Sequence, residues 1–223
     1  MATVVVIEEQ LRVPFVKSLA EFRNWVHSEQ FPEKGRIDYL AGQIEVDMSP
    51  EDLFFHGTPK MAVAAAIFAR VQKLGIGHVF TDRTRVTVPT ADLSVEPDVV
   101  YLSDQSIDSG RVRLIPKAGD DPDRYIEIEG PPDLVVEIVS DSSVVKDTQR
   151  LPTDYYRAGV RELWLIDARS KEIQFSIFSR SRQRFKSVAD DDGFQRSKVL
   201  RRAYRIVRRK RRGRPIYKVL ERP

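Results

Sequence analysis

Apolar and polar positions alternate in blocks between Pro131 and Asp167. An apolar run from Leu134 to Val139 precedes a polar segment, a short stretch around Tyr155 and a second apolar run, ELWLID. Apolar runs of this length, bounded by polar residues, favour buried strands. The pattern therefore predicts a strand, a loop, a short helix and a second strand.

Helical patterns precede this unit. Ser18 has capping-box spacing to Glu21 and is followed by apolar residues at helical intervals, so a first helix is expected there. The segment 49–52 combines a capping serine, a proline and two acids, which predicts the start of a longer helix. We expect Pro59 to divide this helix and Gly75 to close it.

Strand patterns occupy most of the remaining chain. Residues 36–48 predict a hairpin around Ala41-Gly42, residues 78–102 contain three strand candidates, and residues 172–189 predict an antiparallel pair. The polar segment between Ser103 and Arg124 predicts a long loop. Together these elements indicate a single α/β (α+β) domain over residues 1–223.

Composition narrows the class of protein. The chain has 223 residues, of which 41% are hydrophobic and 31% charged, as in globular proteins. No apolar run approaches the roughly 20 residues that span a bilayer, and the first residues do not resemble a signal peptide. Cysteine is absent, which excludes disulfides and thiolate chemistry. We therefore expect a cytoplasmic protein without a membrane partner.

Charge is unevenly distributed. The net charge is +4, but residues 196–214 contain eleven Lys or Arg and no acid, leaving 26 basic against 33 acidic residues elsewhere. A basic end of this kind, here a hairpin or tail over about 196–223, can attract a polyanion. A solvated surface hairpin explains the same pattern, and both interpretations stay open at this point.

Three acids fall within or beside apolar strands: Asp38, Asp98 and Glu137. A carboxylate in an apolar strand is costly unless it is paired or holds a metal, and carboxylate oxygens are the ligands that Mg²⁺ prefers. Lys146 and Arg150 follow the strand of Glu137 closely. These residues are the parts that phosphodiester hydrolysis needs.

Each residue also has a purely structural explanation. Asp98 follows a proline and could mark a turn, Glu137 could pair with an arginine in the core, and Asp38 could lie on the polar face of a hairpin. His56 and Tyr155 could be packing residues. Glycine-rich phosphate loops and the H-E-x-x-H and G-x-S-x-G motifs are missing from the sequence, so no nucleotide cofactor is expected.

The motif order resembles the Uma2 family of the PD-(D/E)XK nuclease superfamily, from about Leu19 to Leu200. The resemblance rests on Pro97-Asp98, on the segment EIVS beginning at Glu137, and on DYYRAGVRELWLID. It implies a restriction-endonuclease-like fold, with a mixed central β-sheet flanked by helices and extra antiparallel strands at the C-terminal end. It also implies a metal-dependent endonuclease that acts on DNA.

The resemblance assigns roles to individual residues. Asp98 and Glu137 match the metal-binding acids of the superfamily motif, with Asp38 as a further ligand of Mg²⁺ or Mn²⁺. Leu151 stands where family members usually have a lysine, and we expect Lys146 to replace it. The residues expected to support the site are His56, Arg150 and Tyr155. The residues expected to bind nucleic acid are Arg208, Arg209, Lys210, Arg211 and Arg212.

Two other functions stay open from the sequence. The protein could bind nucleic acid without cutting it, or it could be a structural protein whose acids serve only as polar core. Nucleases of this superfamily are often dimers, so a homodimer is one expected arrangement, with Thr3–Ile7 as a candidate contact.

Overall fold

The computed structural model describes residues 12–118, 123–187 and 192–223. The predicted N-terminal contact Thr3–Ile7 lies outside these residues. The α-helices are α1 Leu19–Val26, α2 Thr58–Leu74, α3 Asp104–Asp108 and α4 Leu151–Ala158. Two π-helical turns, Leu53–Gly57 and Lys146–Arg150, directly precede α2 and α4.

Fifteen strands are found in the described part of the chain. The first eight are β1 Arg36–Leu40, β2 Gln43–Asp47, β3 Gly77–Thr81, β4 Arg85–Val88, β5 Leu93–Val95, β6 Val99–Ser103, β7 Arg113–Pro116 and β8 Tyr125–Glu129. The others are β9 Leu134–Ile138, β10 Glu162–Asp167, β11 Gln174–Arg180, β12 Phe185–Ser187, β13 Gln195–Ser197, β14 Arg202–Arg211 and β15 Arg214–Arg222.

The strands form two six-stranded mixed sheets and one smaller sheet. The first sheet has the order β2-β1-β5-β4-β8-β7, and the second has the order β12-β11-β10-β9-β6-β3. In the second sheet β9 and β10 are parallel and joined through α4, whereas β6 runs antiparallel to β9. The mixed sheets with flanking helices confirm the predicted fold class.

The small sheet contains the basic C-terminal strands. Strands β13, β14 and β15 pair antiparallel, and Arg211 is opposite Arg214 across a two-residue turn. Arg212 and Gly213 both have positive φ in that turn, as a tight hairpin of matching twist requires. The basic segment is therefore an ordered hairpin.

Side chains of β9 alternate between two hydrophobic cores. Val135 packs with Tyr155 and residues of the first sheet, whereas Val136 packs on the other side with α2 and the C-terminal strands. Glu137 is two residues from Val135 and shares its side of the sheet. The acid is thereby directed into the space between the two large sheets.

Most predicted elements are present. Ser18 caps α1 by accepting a hydrogen bond from the Glu21 N–H, Pro59 lies in the first turn of α2, and left-handed Gly75 ends that helix. The predicted loop 103–124 instead contains α3 and β7. Among the residues that the structure describes, no helix is long and apolar enough to cross a membrane.

Candidate active site

Asp98, which directly precedes β6, lies beside Glu137 of the neighbouring strand β9. Val99 is paired with Val136, and the Asp98 N–H donates to the Val136 carbonyl, so the antiparallel register places Asp98 opposite Glu137. The Ile138 N–H donates to Asp98 Oδ2 over 2.7 Å. Strand pairing therefore brings two buried acids together.

Asp38 reaches the same place from the first sheet. Strand β1 pairs with β5, and the chain then crosses from β5 to β6 through residues 96–98. The Glu96 N–H in this crossing donates to Asp38 Oδ1 over 3.0 Å, and Asp38 is 1% exposed. The three acids predicted from the sequence thus lie at the junction of the two sheets.

Glu137 is completely buried, and its environment favours the neutral carboxyl. Burial, together with the charges of Asp98 and Asp147, outweighs the opposing effects of Arg36 and Tyr155 and raises the pKa of Glu137 to about 8. Asp98 remains acidic: burial acts to raise its pKa, but the charged imidazole of His56, the charge of Arg36 and the hydrogen bond from the Ile138 N–H together lower it. The two adjacent carboxyl groups therefore differ in pKa: that of Glu137 is raised and that of Asp98 is lowered.

Arg36 holds the acids together. Its Nε lies 3.1 Å from Asp38 Oδ2, and its Nη2 lies 3.3 Å from Glu137 Oε2. Our sequence interpretation missed Arg36, although its spacing of two from Asp38 on a strand places both side chains on one face. The guanidinium bridges acids that belong to different sheets.

The π-helical turn before α4 adds a lysine and a fourth acid. Lys146 donates to Asp38 Oδ2 over 2.9 Å and is almost fully buried. Asp147 Oδ2 accepts a hydrogen bond from Ser143, while Oδ1 is buried without a hydrogen-bond partner among the described residues. Burial first, and then the Asp98 charge, raise the pKa of Asp147 to about 6. The sequence offered one signal for Asp147, its position beside Lys146 after the strand of Glu137.

His56 and Tyr155 each contact one of the acids. The Tyr155 hydroxyl donates to Glu137 Oε1 over 2.5 Å, and His56 Nε2 lies 3.6 Å from Asp98 Oδ2. Burial acts to lower the pKa of His56, but the nearby Asp98 carboxylate and the hydrogen bond to Glu51 raise it to about 9, so the imidazole is charged at neutral pH. The structure thus brings both residues into the acid cluster.

Arg150 and Leu151 lie apart from the acids. Arg150 contacts Glu45 and Gln43 on β2, so its side chain is directed to the edge of the first sheet. Leu151 is fully buried in the core that also contains Tyr155. An apolar side chain thus occupies the position where the family resemblance implies a lysine, which leaves Lys146 as the lysine in contact with Asp38.

The C-terminal hairpin is fastened at the same edge of the sheet as the acids. Arg208 donates to the carbonyls of Ala168 over 2.7 Å and Ser170 over 2.5 Å, in the loop that follows β10, and its guanidinium lies 5.7 Å from the ring of Phe55. Phe55 precedes His56 in the first π-helical turn. Beyond Arg208, the tip residues are exposed: Arg209, Lys210, Arg211 and Arg212.

Comparison with known proteins identifies the family. Residues 19–203 match the family model described as "Uma2: Putative restriction endonuclease". The chain belongs to the Uma2 family. The resemblance read from the motifs is thereby confirmed over nearly the same residues, and Uma2 membership associates the chain with nucleases.

A solved structure shares the fold of this Uma2 protein. It is described as a "putative nuclease belonging to DUF820" from Anabaena variabilis ATCC 29413. The two chains are 18% identical, the match covers 78% of this chain and 89% of the other, and the TM-score is 0.50. A similarity at this level of identity shows the fold alone. Among curated proteins, no match was found.

Two adjoining cavities lie beside the acid cluster of this Uma2 chain. Their volumes are about 780 Å³ and 250 Å³, and both are lined by Arg36, Asp47 and Ser143. Lys146 lines the larger cavity, whereas His56 and Asp98 line the smaller one. A ligand in this groove would contact Arg36, Lys146 and Asp98, whereas Asp38 and Glu137 line neither cavity and are buried behind them.

The carboxylate oxygens of the cluster suit a hard divalent cation, although the guanidinium of Arg36 already lies between two of the acids. Carboxylate oxygens are the ligands that Mg²⁺ prefers, and the unpartnered Oδ1 of Asp147 is a further oxygen donor. Within the described ranges, no three His, Asp or Glu side chains form a ready-made metal site. Arg36 lies between Asp38 and Glu137 instead. The side chains are therefore of the type that binds such a metal, and in this structure the guanidinium of Arg36 balances their negative charge.

Proposed function

We propose that this protein is a divalent-metal-dependent endonuclease that hydrolyses DNA phosphodiester bonds. The observation that supports it is the convergence of Asp38, Asp98 and Glu137, from three different segments, with Lys146 at the edge of an open groove. Such a group of acids and a lysine is costly to bury without a functional role. Membership of the Uma2 family supports the same reaction.

In this proposal Asp98 and Glu137 would hold Mg²⁺ or Mn²⁺, with Asp38 as a further ligand. When bound, such a cation supplies Lewis-acid polarisation of a phosphoryl oxygen. The hydrogen bond from Tyr155 fixes the orientation of the Glu137 carboxyl, and the charged imidazole of His56 helps to keep Asp98 ionised. These contacts hold the ligands in place before substrate arrives.

Lys146 is the proposed cation of the hydrolytic step. Its ammonium lies 2.9 Å from Asp38 and lines the larger cavity, so it can orient a water molecule and offset the charge that develops on the phosphate. Leu151 cannot do either, because its side chain is apolar and buried. Lys146 extends from the turn just before the helix on which family members usually place their lysine.

The hairpin tip is the proposed contact to DNA. Arg209, Lys210, Arg211 and Arg212 are exposed and lie beyond Arg208, which anchors the hairpin at the edge where the acids lie. Cations at such a tip would bind backbone phosphates without reading sequence. A DNA duplex held by the tip would lie near the groove.

Binding without cleavage is the second candidate function. Two observations favour it: the apolar Leu151 and the guanidinium of Arg36 among the acids. In that case the acids and Arg36 form a satisfied ionic core, and the hairpin alone supplies the function. DNA binding would then be independent of divalent cations.

The two candidates are separated by cleavage of supercoiled plasmid in Mg²⁺ or Mn²⁺. We expect wild type to nick the plasmid and Asp98→Asn to lose the activity by about 10³-fold or more, since a ligand amide no longer supplies the charge. Asp154→Asn is the matched control, because Asp154 lies on α4 and pairs with Arg157. Equal cleavage by wild type and Asp98→Asn would contradict the proposal.

A further inference from the structure

The guanidinium of Arg36 occupies the space that a metal shared by Asp38 and Glu137 would need. It contacts Oδ2 of Asp38 at 3.1 Å and Oε2 of Glu137 at 3.3 Å. The same oxygens are the metal-binding groups of the proposed function. A carboxylate oxygen cannot hold a guanidinium and a metal ion along the same direction, so the two cations compete.

The acid cluster requires a resident cation. Asp38 and Glu137 have side-chain exposures of 1% and 0%, and Asp98 and Asp147 are also buried. Adjacent buried carboxylates without a counter-ion would be strongly unfavourable. Lys146 contacts Asp38, which leaves Arg36 as the cation bonded to Glu137 among the described residues.

The position of Arg36 permits its side chain to leave. Arg36 is the first residue of β1 and follows Gly35, whose φ is +83°, as in a turn. Its side chain is 22% exposed and lines both cavities of the groove. The side chain therefore borders open space into which it can turn away from the acids.

We propose that Arg36 is the counter-ion of the metal-free site and that a divalent cation binds by displacing it. This inference rests on the proposed function, since it requires Asp38 and Glu137 to be metal ligands. Arg36 is thus a positioning residue that keeps the acids together in the absence of metal and lowers their affinity for metal.

Calorimetric titration of MnCl₂ into the full chain tests this exchange. We expect Arg36→Gln to bind Mn²⁺ about tenfold or more tightly than wild type, a coupling of ordinary size between competing ligands. Arg36→Lys, with a single ammonium that cannot bridge both acids, should bind with intermediate affinity. Arg83→Gln is the charge-matched control, because Arg83 lines the same groove and should leave Mn²⁺ affinity unchanged.

Thermal unfolding provides a second readout that does not depend on activity. In EDTA, Arg36→Gln should unfold at a lower temperature than wild type, and saturating Mn²⁺ should raise its unfolding temperature more than that of wild type. If Arg36→Gln does not fold without metal, the unfolding temperature and Mn²⁺ affinity of Arg36→Lys are compared with those of wild type instead.

The possible failures are distinguishable. Equal or weaker Mn²⁺ binding by both Arg36 variants, with binding by wild type intact, would overturn the exchange and leave the proposed function standing. Absence of Mn²⁺ binding in wild type and in both variants would overturn the metal-dependent function and the exchange together.

Discussion

The hydroxyl of Tyr155 donates a hydrogen bond to Oε1 of Glu137 over 2.5 Å, inside a core where both side chains are completely buried. Tyr155 belongs to the hydrophobic core beneath α4, so its ring is held by packing and its hydroxyl is fixed in direction. This contact links the short helix to the strand that carries the central acid. Because this core favours the neutral carboxyl, the stability of the fold depends on whether Glu137 is protonated.

The stability of the metal-free protein should fall as pH rises from about 6 to 8. Burial raises the pKa of Glu137 from 4.5 to about 8, so the folded state binds a proton that the unfolded state has already released. The contribution of Glu137 to the free energy of unfolding is therefore complete below pH 4.5. It declines toward pH 8, by up to about 1.4 kcal/mol per pH unit for one proton. Asp147 adds a similar decline between 3.8 and about 6, and His56, whose pKa is raised from 6.5 to about 9, adds one between those two values.

Glu137→Gln removes the contribution of Glu137, because its amide cannot ionise, and leaves those of Asp147 and His56. In urea titrations with EDTA, the variant should show a flatter stability profile between pH 6 and 8 than wild type. Asp154→Asn provides the carboxylate control on the same helix as Tyr155 and should retain the wild-type slope in this range. A wild-type slope in Glu137→Gln would show that Glu137 does not contribute to the pH dependence in this range.

Replacement of the hairpin tip should weaken DNA binding without unfolding the protein. In Arg209→Ala/Lys210→Ala/Arg211→Ala, the slope of log affinity against log salt should decrease by up to about 3, near 0.9 for each phosphate that the tip no longer neutralises. Fluorescence anisotropy with a labelled duplex at several salt concentrations measures this slope. An unchanged slope would exclude the tip as the DNA-binding element.

Arg208→Ala should behave differently from the tip variants. Arg208 donates to carbonyls of the loop after β10 and stacks against Phe55, so its loss should reduce the free energy of unfolding by roughly 1–3 kcal/mol. Chemical denaturation measures this change. A fully stable Arg208→Ala protein with weakened DNA binding would place Arg208 among the phosphate-binding residues instead.

Lys146→Met should reduce plasmid cleavage by about 10²-fold or more while Mn²⁺ binding persists. The substitution keeps the unbranched apolar stem, one atom shorter, and removes the ammonium that contacts Asp38, so it removes the proposed general acid–base and charge effects. Lys73→Met, on the exposed last turn of α2, is the control. Undiminished cleavage by Lys146→Met would assign the cationic role to another residue.

The acids could be predicted because each interrupts an apolar strand pattern. Glu137 lies within the run from Leu134 to Val139, and Asp98 precedes another such run, so burial of these acids follows from the sequence. The resemblance to the family motif then assigned Asp98 and Glu137 as the two metal-binding acids. The pairing of β6 with β9, which sets Asp98 opposite Glu137, supplied the distance that the sequence lacked.

Arg36 and Asp147 could not be found in this way, since their burial depends on contacts between distant segments. Arg36 meets Glu137 only because β1 pairs with β5 and the chain then crosses to the second sheet. Asp147 lies in a polar segment that gives no sign of burial, and the π-helical turn directs it inward. The spacing of Arg36 from Asp38 and the position of Asp147 beside Lys146 place them near the site, but the contact with Glu137 and the burial of Asp147 depend on the tertiary fold.

The loop expected at residues 103–124 shows the same limit at the level of elements. Ser103 caps the short helix α3, and buried Asp133 accepts hydrogen bonds from Ser103 and Ser106. Polar residues therefore form an ordered turn and helix here, through hydrogen bonds to a residue from a distant part of the chain. Composition alone predicted a loop because it does not report such contacts.

The most direct test of this account is an anomalous difference map from crystals soaked in MnCl₂. We predict a Mn²⁺ peak bound by carboxylate oxygens of Asp98 and Glu137, with the Arg36 side chain moved away from Glu137 into the groove. A map without a peak at these acids at saturating Mn²⁺, with Arg36 still bridging Asp38 and Glu137, would contradict the assignment of the cluster as a metal site.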